Sequence, residues 1–278
     1  MSIVFSASDH SYKSIDDSDN IDWVSVTTLI SHLKKSFDAK KTAERVSKNK
    51  RSKWFGIEPV KIEAIWKNEA DRATTLGTYY HNQRENDLCS LASMEREGVT
   101  IPIIAPSGEV HGIRKAPLQK LEPGVYPEHM VYLKSIGVCG QSDLVEVVNG
   151  KVNIIDYKTN KEIKTESFIN WEGASEKMLD PVNHLDDCNF NHYALQLSIY
   201  MYIILKHNPK LKPGRIFIHH VVFEQAGEDE YGYPITQLDA EGNPIVKEVI
   251  PIAVPYLVDE VISIVHYLHD NKHKVKKK

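Results

Sequence analysis

The spacing of apolar and polar positions predicts helices and strands in mixed order along the chain. Ser25 or Thr27 is the predicted N-cap of the first helix, because both precede an apolar run with helical spacing. The predicted helices cover 27–37, 38–53, 54–98 with a break near Pro59, 192–207 and 255–270. The predicted strands cover 130–161, as three strands, 214–223 and 248–254. This order predicts an α/β domain with a mixed sheet.

Asn149-Gly150, between two apolar strands, predicts a hairpin with a two-residue type I′ turn. In that register Asp143 lies directly opposite Asp156, with their Cβ atoms about 4.5–5.5 Å apart. Lys158 points to the same face as Asp156, because side chains two positions apart in a strand share a face. Like charges at this spacing destabilise a sheet, so the pair needs a compensating charge.

The rest of this hairpin is apolar on both faces, which is typical of strands covered on both sides. One face carries Val145, Val147, Val152 and Ile154, and the other carries Leu144, Val148 and Ile155. The two aspartates therefore lie near the open end of a buried hairpin. A divalent cation between them would turn repulsion into attraction. A solvated acid pair with Lys158 as its counter-ion explains the hairpin equally well.

Composition is that of a soluble globular chain, with 278 residues, 41% hydrophobic and 26% charged. No apolar run approaches the roughly 18 residues of a membrane span, and the N-terminus has no signal-peptide pattern. Cys89, Cys139 and Cys188 are odd in number and far apart, which favours a reducing compartment over a disulfide framework. We therefore expect a cytoplasmic protein without a membrane partner, in the bacterial host cytoplasm if the chain is phage-encoded.

Positive charge is concentrated in one segment, residues 34–53, although the whole chain has a net charge of −4. The segment has nine basic residues against Asp38 and Glu44, a net charge of +7, which leaves −11 for the remainder. The nine are Lys34, Lys35, Lys40, Lys41, Arg45, Lys48, Lys50, Arg51 and Lys53. A basic patch on an acidic body suits a phosphate contact, and a solvated helix face gives the same pattern.

Two further groups of polar residues have helical spacing. Gly77, His81 and Glu85 follow one helix face at intervals of four, and Gln196 and Tyr200 share another. His81 is a candidate metal ligand, and Gln196 can both donate and accept hydrogen bonds. Each group also has a purely structural explanation. The first can be an ordinary polar helix face, and Gln196 can be a buried glutamine that is hydrogen-bonded to neighbouring backbone.

Four motifs in order resemble the RecB-like branch of the PD-(D/E)XK nuclease superfamily. They are GTYYHNQRE at 77–85, GQSD at 140–143, DYK at 156–158 and QLSIY at 196–200. The resemblance covers roughly residues 75–205. The flanks look like those of phage-encoded members, and the mitochondrial genome maintenance exonuclease is a more distant resemblance.

The resemblance implies roles for individual residues. His81, Asp143, Asp156 and the backbone carbonyl of Tyr157 would bind Mg²⁺ or Mn²⁺. Lys158 would orient or activate the attacking water and stabilise the charged phosphate.

Four further positions complete the site that the resemblance implies. Gln196 and Tyr200 would organise the site and contact DNA. Glu85 would belong to the catalytic group as a supporting residue or a second-metal ligand, and Glu128 matches an acid often found before the first strand of this branch. In such a nuclease the nine basic residues of 34–53 would bind DNA and guide or thread the strand.

The fold implied is a restriction-endonuclease-like α/β core, a mixed central β-sheet flanked by helices, with an N-terminal helical extension. We expect one nuclease domain over 1–278, divided into an N-terminal basic extension (1–70), a catalytic core (71–223), a projecting hairpin (224–246) and a closing strand and helix (247–278). Three scattered cysteines do not suffice for the four-cysteine iron–sulfur cluster of some relatives, and no P-loop is present.

The expected function is a metal-dependent deoxyribonuclease, an exonuclease on DNA ends or single strands in recombination, repair or phage replication. Its partners would be DNA and a replication or recombination protein. Two alternatives stay open: a non-catalytic module that binds DNA ends or a partner, and a nuclease acting on RNA.

Overall fold

The computed structural model of the chain describes residues 3–6, 11–15, 21–169 and 173–271. The helices are α1 (Val26–His32), α2 (Ala39–Lys48), α3 (Pro59–Cys89), α4 (Asn189–His207) and α5 (Val258–Asp270). The first seven strands are β1 (Ile3–Ser6), β2 (Ser11–Ser14), β3 (Val24–Ser25), β4 (Ser93–Arg96), β5 (Val99–Pro102), β6 (Glu109–Val110) and β7 (Ile113–Lys115). The other seven are β8 (Gly124–Leu133), β9 (Val138–Val148), β10 (Lys151–Lys158), β11 (Lys212–Phe223), β12 (Gln225–Glu228), β13 (Pro234–Thr236) and β14 (Val246–Val254).

The central sheet has six strands and is mixed, which confirms the predicted α/β class. Its order is β14-β11-β10-β9-β3, and β8 also pairs with β9. β10 and β11 are parallel, as are β3 and β9, while the β8–β9, β9–β10 and β11–β14 pairs are antiparallel. A smaller four-stranded sheet, β2-β1-β7-β6, is formed by the N-terminus together with β6 and β7.

The β9–β10 hairpin has the predicted turn and register. Asn149 and Gly150 have φ angles of 50° and 72°, as a type I′ turn requires at both central positions. Backbone pairing runs from Val148–Lys151 to Leu144–Ile155, and it stops one step before Asp143 and Asp156. The predicted register is therefore confirmed, while the two aspartates lie just beyond the end of the regular ladder.

Both faces of this hairpin are covered, as its apolar pattern predicts. Val145 and Ile154 belong to the main core, together with α4 and α5. On the opposite face Leu144 and Val148 pack with Leu88 near the end of α3. Nine residues of α4 are buried, which explains why its apolar positions are not confined to one stripe.

The long helix α3 differs from the sequence prediction at both ends. Pro59 does not break a helix but begins one, because a proline in the first turn needs no hydrogen-bond donor. At the other end, residues 93–98, predicted as helix, are part of the antiparallel β4–β5 hairpin over 93–102. The turn is made by Glu97 and Gly98, both with positive φ, at 49° and 75°.

The segment 224–246 contains the short antiparallel hairpin β12–β13, and its tip lies against the helical layer. The Tyr231 ring stacks on Trp54 with centroids 5.8 Å apart, and Lys53 Nζ donates to the Tyr231 carbonyl at 2.7 Å. The hairpin tip is thus packed on the α2–α3 region. Within the described residues, no helix combines the length and apolar character needed to cross a membrane.

Candidate metal centre

Three acidic residues lie in one row across three neighbouring strands. Glu128 on β8 falls opposite Asp143 on β9, because Pro127 pairs with Leu144 and His129 pairs with Ser142. Asp156 on β10 falls opposite Asp143 on its other side, one step beyond the Leu144–Ile155 pair. Glu128 has a positive φ of 48°, a conformation uncommon outside glycine. Such a row of like charges is unfavourable unless a cation compensates it.

The row faces a gap in the sheet. On one side β9 is paired with β8 along almost its whole length. On the other side β3 pairs with Val138 and Cys139, and β10 pairs only from Leu144 onward. Residues 140–143 of β9 therefore have no strand partner on this side within the described part of the chain. The gap leaves the Asp143 carboxylate room to reach across the sheet end.

His81 on α3 completes the group. Its Nδ1 lies 3.5 Å from Asp143 Oδ1 and 3.7 Å from Glu128 Oε1. Its Nε2 lies 3.2 Å from the Tyr157 carbonyl oxygen. One ligand atom from each of His81, Glu128 and Asp143 lies within 4.8 Å of the others. Among the described residues, these three form a group whose ligand atoms are close enough together to hold one cation.

The carboxylates are oriented by their neighbours. Asp143 Oδ2 accepts a hydrogen bond from the Tyr157 backbone N–H at 2.7 Å, which leaves Oδ1 on the His81 side. Glu128 Oε2 accepts from Gln141 Nε2 at 2.6 Å, which leaves Oε1 on the same side. Metal-ligating carboxylates are held by outer hydrogen bonds in this way. Two carboxylate oxygens and one imidazole fit a hard divalent cation such as Mg²⁺ or Mn²⁺.

The electrostatics of the group reflect its excess of negative charge. Burial opposes protonation of His81, but the nearby carboxylates of Glu128, Asp143 and Asp156 outweigh it and raise the pKa of His81 to about 9. Burial and the charge of Asp156 raise the pKa of Asp143 well above its ordinary value. Both shifts favour the bound proton, as expected of a site that attracts cations.

Asp156 and Lys158 form a buried ion pair beside this group. Lys158 Nζ lies 2.6 Å from Asp156 Oδ2, although neither Asp156 oxygen has a hydrogen bond of regular geometry within the described residues. Burial lowers the pKa of Lys158, but the charges of Asp156 and Asp143 outweigh burial and raise it above its ordinary value. The ammonium also lies 4.8 Å from the centre of the Tyr193 ring. Lys158 is therefore held as a cation.

Gln196 and Tyr200 lie on the α4 face behind β9. Gln196 Nε2 donates to the Tyr200 hydroxyl at 3.3 Å. Tyr200 is only 2% exposed, so the prediction that it contacts DNA is wrong for this residue. Its ring lies against Gly140, where a Cβ atom would meet Tyr200 Cε1 at 2.7 Å. Tyr200 thus supports the strand that carries Asp143.

Glu85 is not part of the acid row. Its Oε1 lies 3.1 Å from Arg114 on β7, so the carboxylate is paired with a guanidinium. Gly77, one helical turn before His81, approaches the residue that follows Lys158: a Cβ there would lie 3.3 Å from Thr159 Oγ1. The glycine allows α3 to pack closely on the end of β10.

All nine basic residues of the segment 34–53 are exposed. Their surface begins beside α4, where the Lys35 backbone N–H donates to Asp187 Oδ2 at 3.2 Å. It ends at Lys53, which is bonded to Tyr231 at the hairpin tip. The segment therefore spans from the N-terminal end of α4 to the first half of α3.

Two supporting residues were not predicted from the sequence. Tyr193 precedes Tyr200 by seven residues, a spacing that puts both on one helix face and would have indicated it. Gln141 lies inside the GQSD motif, but its role depends on the position of Glu128 and has no local signal. No protein-family model matches the chain, and no curated protein matches it.

Proposed function

We propose that the chain is a metal-dependent deoxyribonuclease of the RecB-like PD-(D/E)XK type, with a restriction-endonuclease-like core. The observation that carries the proposal is the convergence of Glu128, Asp143 and Asp156 with His81 and Lys158 at one end of the sheet. These residues come from four elements, the helix α3 and the three consecutive strands β8, β9 and β10. A purely structural ion pair would not need three opposed acids in one row.

His81, Glu128 and Asp143 would hold the cation, with Asp156 and the Tyr157 carbonyl beside them. A bound divalent cation would supply Lewis-acid stabilisation of the phosphate and a more acidic water. The hydrogen bonds from Tyr157 N–H and Gln141 fix the two carboxylates before any cation arrives. This arrangement reduces the cost of organising the ligands.

Lys158 is suited to stabilise negative charge. Its pKa is raised, by Asp156 and Asp143 against the effect of burial, so the ammonium keeps its proton at neutral pH. A protonated lysine is a poor general base but an effective partner for the charge that develops on a phosphate under attack. The Tyr193 ring and Asp156 hold the ammonium in place.

The basic segment 34–53 provides the affinity for a polyanion. Its nine side chains are exposed, and phosphate contacts dominate the binding of nucleic acids. The acidic remainder of the chain would repel a nucleic acid elsewhere and thereby direct the strand to this surface. DNA ends or single strands are the proposed substrate.

The test is cleavage of single-stranded DNA labelled at either end, in Mg²⁺, in Mn²⁺ and in EDTA. Wild-type protein is compared with Lys158→Ala and with Lys210→Ala, an exposed lysine after the C-terminal end of α4. Duplex DNA and RNA of the same sequence are run as competitors. The unfolding transition of each variant is recorded, because removing Lys158 leaves Asp156 buried without its partner.

We expect metal-dependent cleavage by the wild type and by Lys210→Ala, and none by folded Lys158→Ala. The product ladder gives the polarity. Cleavage that survives Lys158→Ala, or in EDTA, would refute the proposal. DNA binding without cleavage in any metal would favour a non-catalytic binding module, and preference for RNA would change the substrate.

A further inference from the structure

Phe37 is an exposed aromatic residue in the middle of a cationic loop. It lies between α1 and α2, and 70% of its surface is accessible to solvent. Lys34, Lys35, Lys40 and Lys41 lie within four positions of it in sequence, all exposed, with Asp38 as the single acid between them. Asp38 is occupied as the N-cap of α2. Phe37 therefore presents a planar apolar ring to solvent among exposed cationic side chains.

The ring is supported from below. Its centroid lies 5.8 Å from that of Trp66 on α3, and Trp66 meets Trp54 edge-on at 5.8 Å. Trp54 is buried, so this row of rings is anchored in the protein. Phe37 therefore presents a supported ring rather than a side chain on a free loop.

The surface around Phe37 leads to the candidate metal centre. Lys35 is bonded through its backbone to Asp187, which also contacts His192 Nε2 at 2.7 Å on α4. The next residue, Tyr193, packs against Lys158. On the other side Trp66 precedes His81 by fifteen residues of α3, a distance of about 22 Å at 1.5 Å per residue.

The chemistry of this surface selects one class of ligand. Exposed lysines attract a polyanion, and an exposed ring face stacks on a planar base. Bases in a duplex are already stacked on each other and cannot offer a face to Phe37. An unpaired strand offers both the phosphates and the bases, without regard to sequence.

We propose that Phe37 and the four lysines around it form a stacking site for an unpaired base of a single nucleic-acid strand. Trp66, on which Phe37 packs, lies about 22 Å along α3 from His81, a length that corresponds to about six stacked nucleotides at 3.4 Å each. The connection of the stacking site to cleavage rests on the proposed nuclease function, but the binding itself does not.

The first test measures binding in EDTA, where no metal-dependent cleavage takes place. Fluorescence anisotropy follows a thymidine oligonucleotide of about 20 nucleotides, longer than the roughly 16-nucleotide sites of single-strand-binding domains. Duplex DNA of equal length is titrated in parallel. The variants are Phe37→Ala, Phe37→Trp and the matched control Leu118→Ala. Leu118 is 86% exposed and lies near the C-terminal end of α4, far from His192.

We expect Phe37→Ala to weaken single-strand binding by about tenfold or more, in the range of one base stack. Phe37→Trp should restore it, and Leu118→Ala should have no effect. Duplex affinity should be unchanged in all three. An equal weakening on single strand and duplex would overturn the proposal, as would unchanged single-strand affinity in Phe37→Ala.

The second test separates this site from the nuclease function. With metal present, Phe37→Ala should raise KM for the long oligonucleotide and leave kcat unchanged. A trinucleotide, about 10 Å long at 3.4 Å per stacked nucleotide, is shorter than the separation of Trp66 and His81 along α3 and should be cleaved equally by both proteins. If no metal supports cleavage but the binding difference persists, the nuclease proposal fails and the stacking site stands. Cleavage with identical KM in both proteins overturns the stacking site alone.

Discussion

A glycine inside a buried strand sacrifices packing and chain entropy, so its presence calls for a structural reason. At Gly140 that reason is the Tyr200 ring, which occupies the space where a Cβ would be. The ring supports β9 three residues before Asp143. The glycine of the GQSD motif therefore permits a close contact behind the acid row, and Tyr200 acts as packing rather than as a ligand contact.

Gly140→Ala should lower the free energy of unfolding by about 1–3 kcal/mol, the usual cost of overpacking a core. Gly108→Ala is the matched control, because a Cβ at Gly108 has no atom within 4 Å. Urea denaturation of both variants measures the difference. Equal stability of the two variants would contradict this prediction, because it would mean that the Tyr200 ring moves aside with no loss in the free energy of unfolding.

His129, beside Glu128 on β8, gives the fold a dependence on pH. It is buried, its Nε2 has no hydrogen-bond partner among the described residues, and burial lowers the pKa of His129 from 6.5 to about 4. The folded state therefore binds this proton less readily than the unfolded state. The contribution of neutral His129 to the free energy of unfolding is therefore fully present above pH 6.5, and it is lost as the pH falls from 6.5 towards 4.

Between pH 6.5 and 4, wild-type protein in EDTA should lose up to about 3 kcal/mol more stability than His129→Gln, which has no titrating group at this position. Denaturant unfolding across this range, for both proteins, gives the difference. Parallel stability curves would show that His129 finds a partner for its charge in the folded state.

At the scale of elements, the Asn149-Gly150 turn determines which residues meet across β9 and β10. The sequence reveals this register because a two-residue turn leaves only one alignment, and the structure has that alignment. The strand partner of Glu128 could not be predicted in the same way, because the connection between β8 and β9, Lys134–Gly137, is longer than a two-residue turn and does not determine one alignment. The resemblance singled out Glu128 in the sequence, but its place opposite Asp143 became visible only in the folded chain.

The same limitation explains the error over 93–98. The β4–β5 turn is formed by Glu97 and Gly98, and glutamate is not a residue that signals a left-handed conformation. The strands are four residues each and largely exposed, so they have little apolar alternation to distinguish them from a helix. Long buried elements such as α4 were predictable because their apolar pattern is sustained.

Gly150→Val should destabilise the protein by about 1–2 kcal/mol, because a β-branched residue resists the positive φ of 72° at this position. A Cβ at Gly150 has no atom within 4 Å, so the cost is one of backbone conformation. Gly150→Asn should cost clearly less, since asparagine tolerates this region. Denaturant unfolding of the two variants checks the order, and a reversed order would contradict the turn assignment.

At the scale of the whole molecule, the charges are separated into a cationic surface over 34–53 and an acidic remainder. The sequence shows this separation, but it does not show that the surface runs from the α4 end to the α3 helix. That arrangement depends on contacts such as Lys35 with Asp187 and Trp54 with Tyr231, which join residues more than 150 positions apart. Long-range contacts of this kind leave no local pattern.

The double variant Lys40→Glu and Lys41→Glu should bind single-stranded DNA more weakly and with a smaller dependence on salt. The slope of log affinity against log salt should fall by about 0.7 for each phosphate that the protein no longer neutralises. The double variant Lys151→Glu and Lys210→Glu is the control, because it changes the net charge by the same amount at two exposed lysines outside the segment 34–53. Equal effects of the two changes would point to net charge rather than to a binding surface.

The most direct test of the acid row is the single-turnover rate of DNA cleavage in Mn²⁺ for wild type, Asp156→Asn and Asp259→Asn. Asp156 is buried beside Lys158, whereas Asp259 is an exposed acid in the first turn of α5. A bound cation stabilises the transition state by several kcal/mol, and Asp156→Asn should remove much of this stabilisation. We therefore expect at least a roughly hundredfold slower rate for folded Asp156→Asn and an unchanged rate for Asp259→Asn. Cleavage by Asp156→Asn at the wild-type rate would contradict the assignment of this row as the catalytic centre.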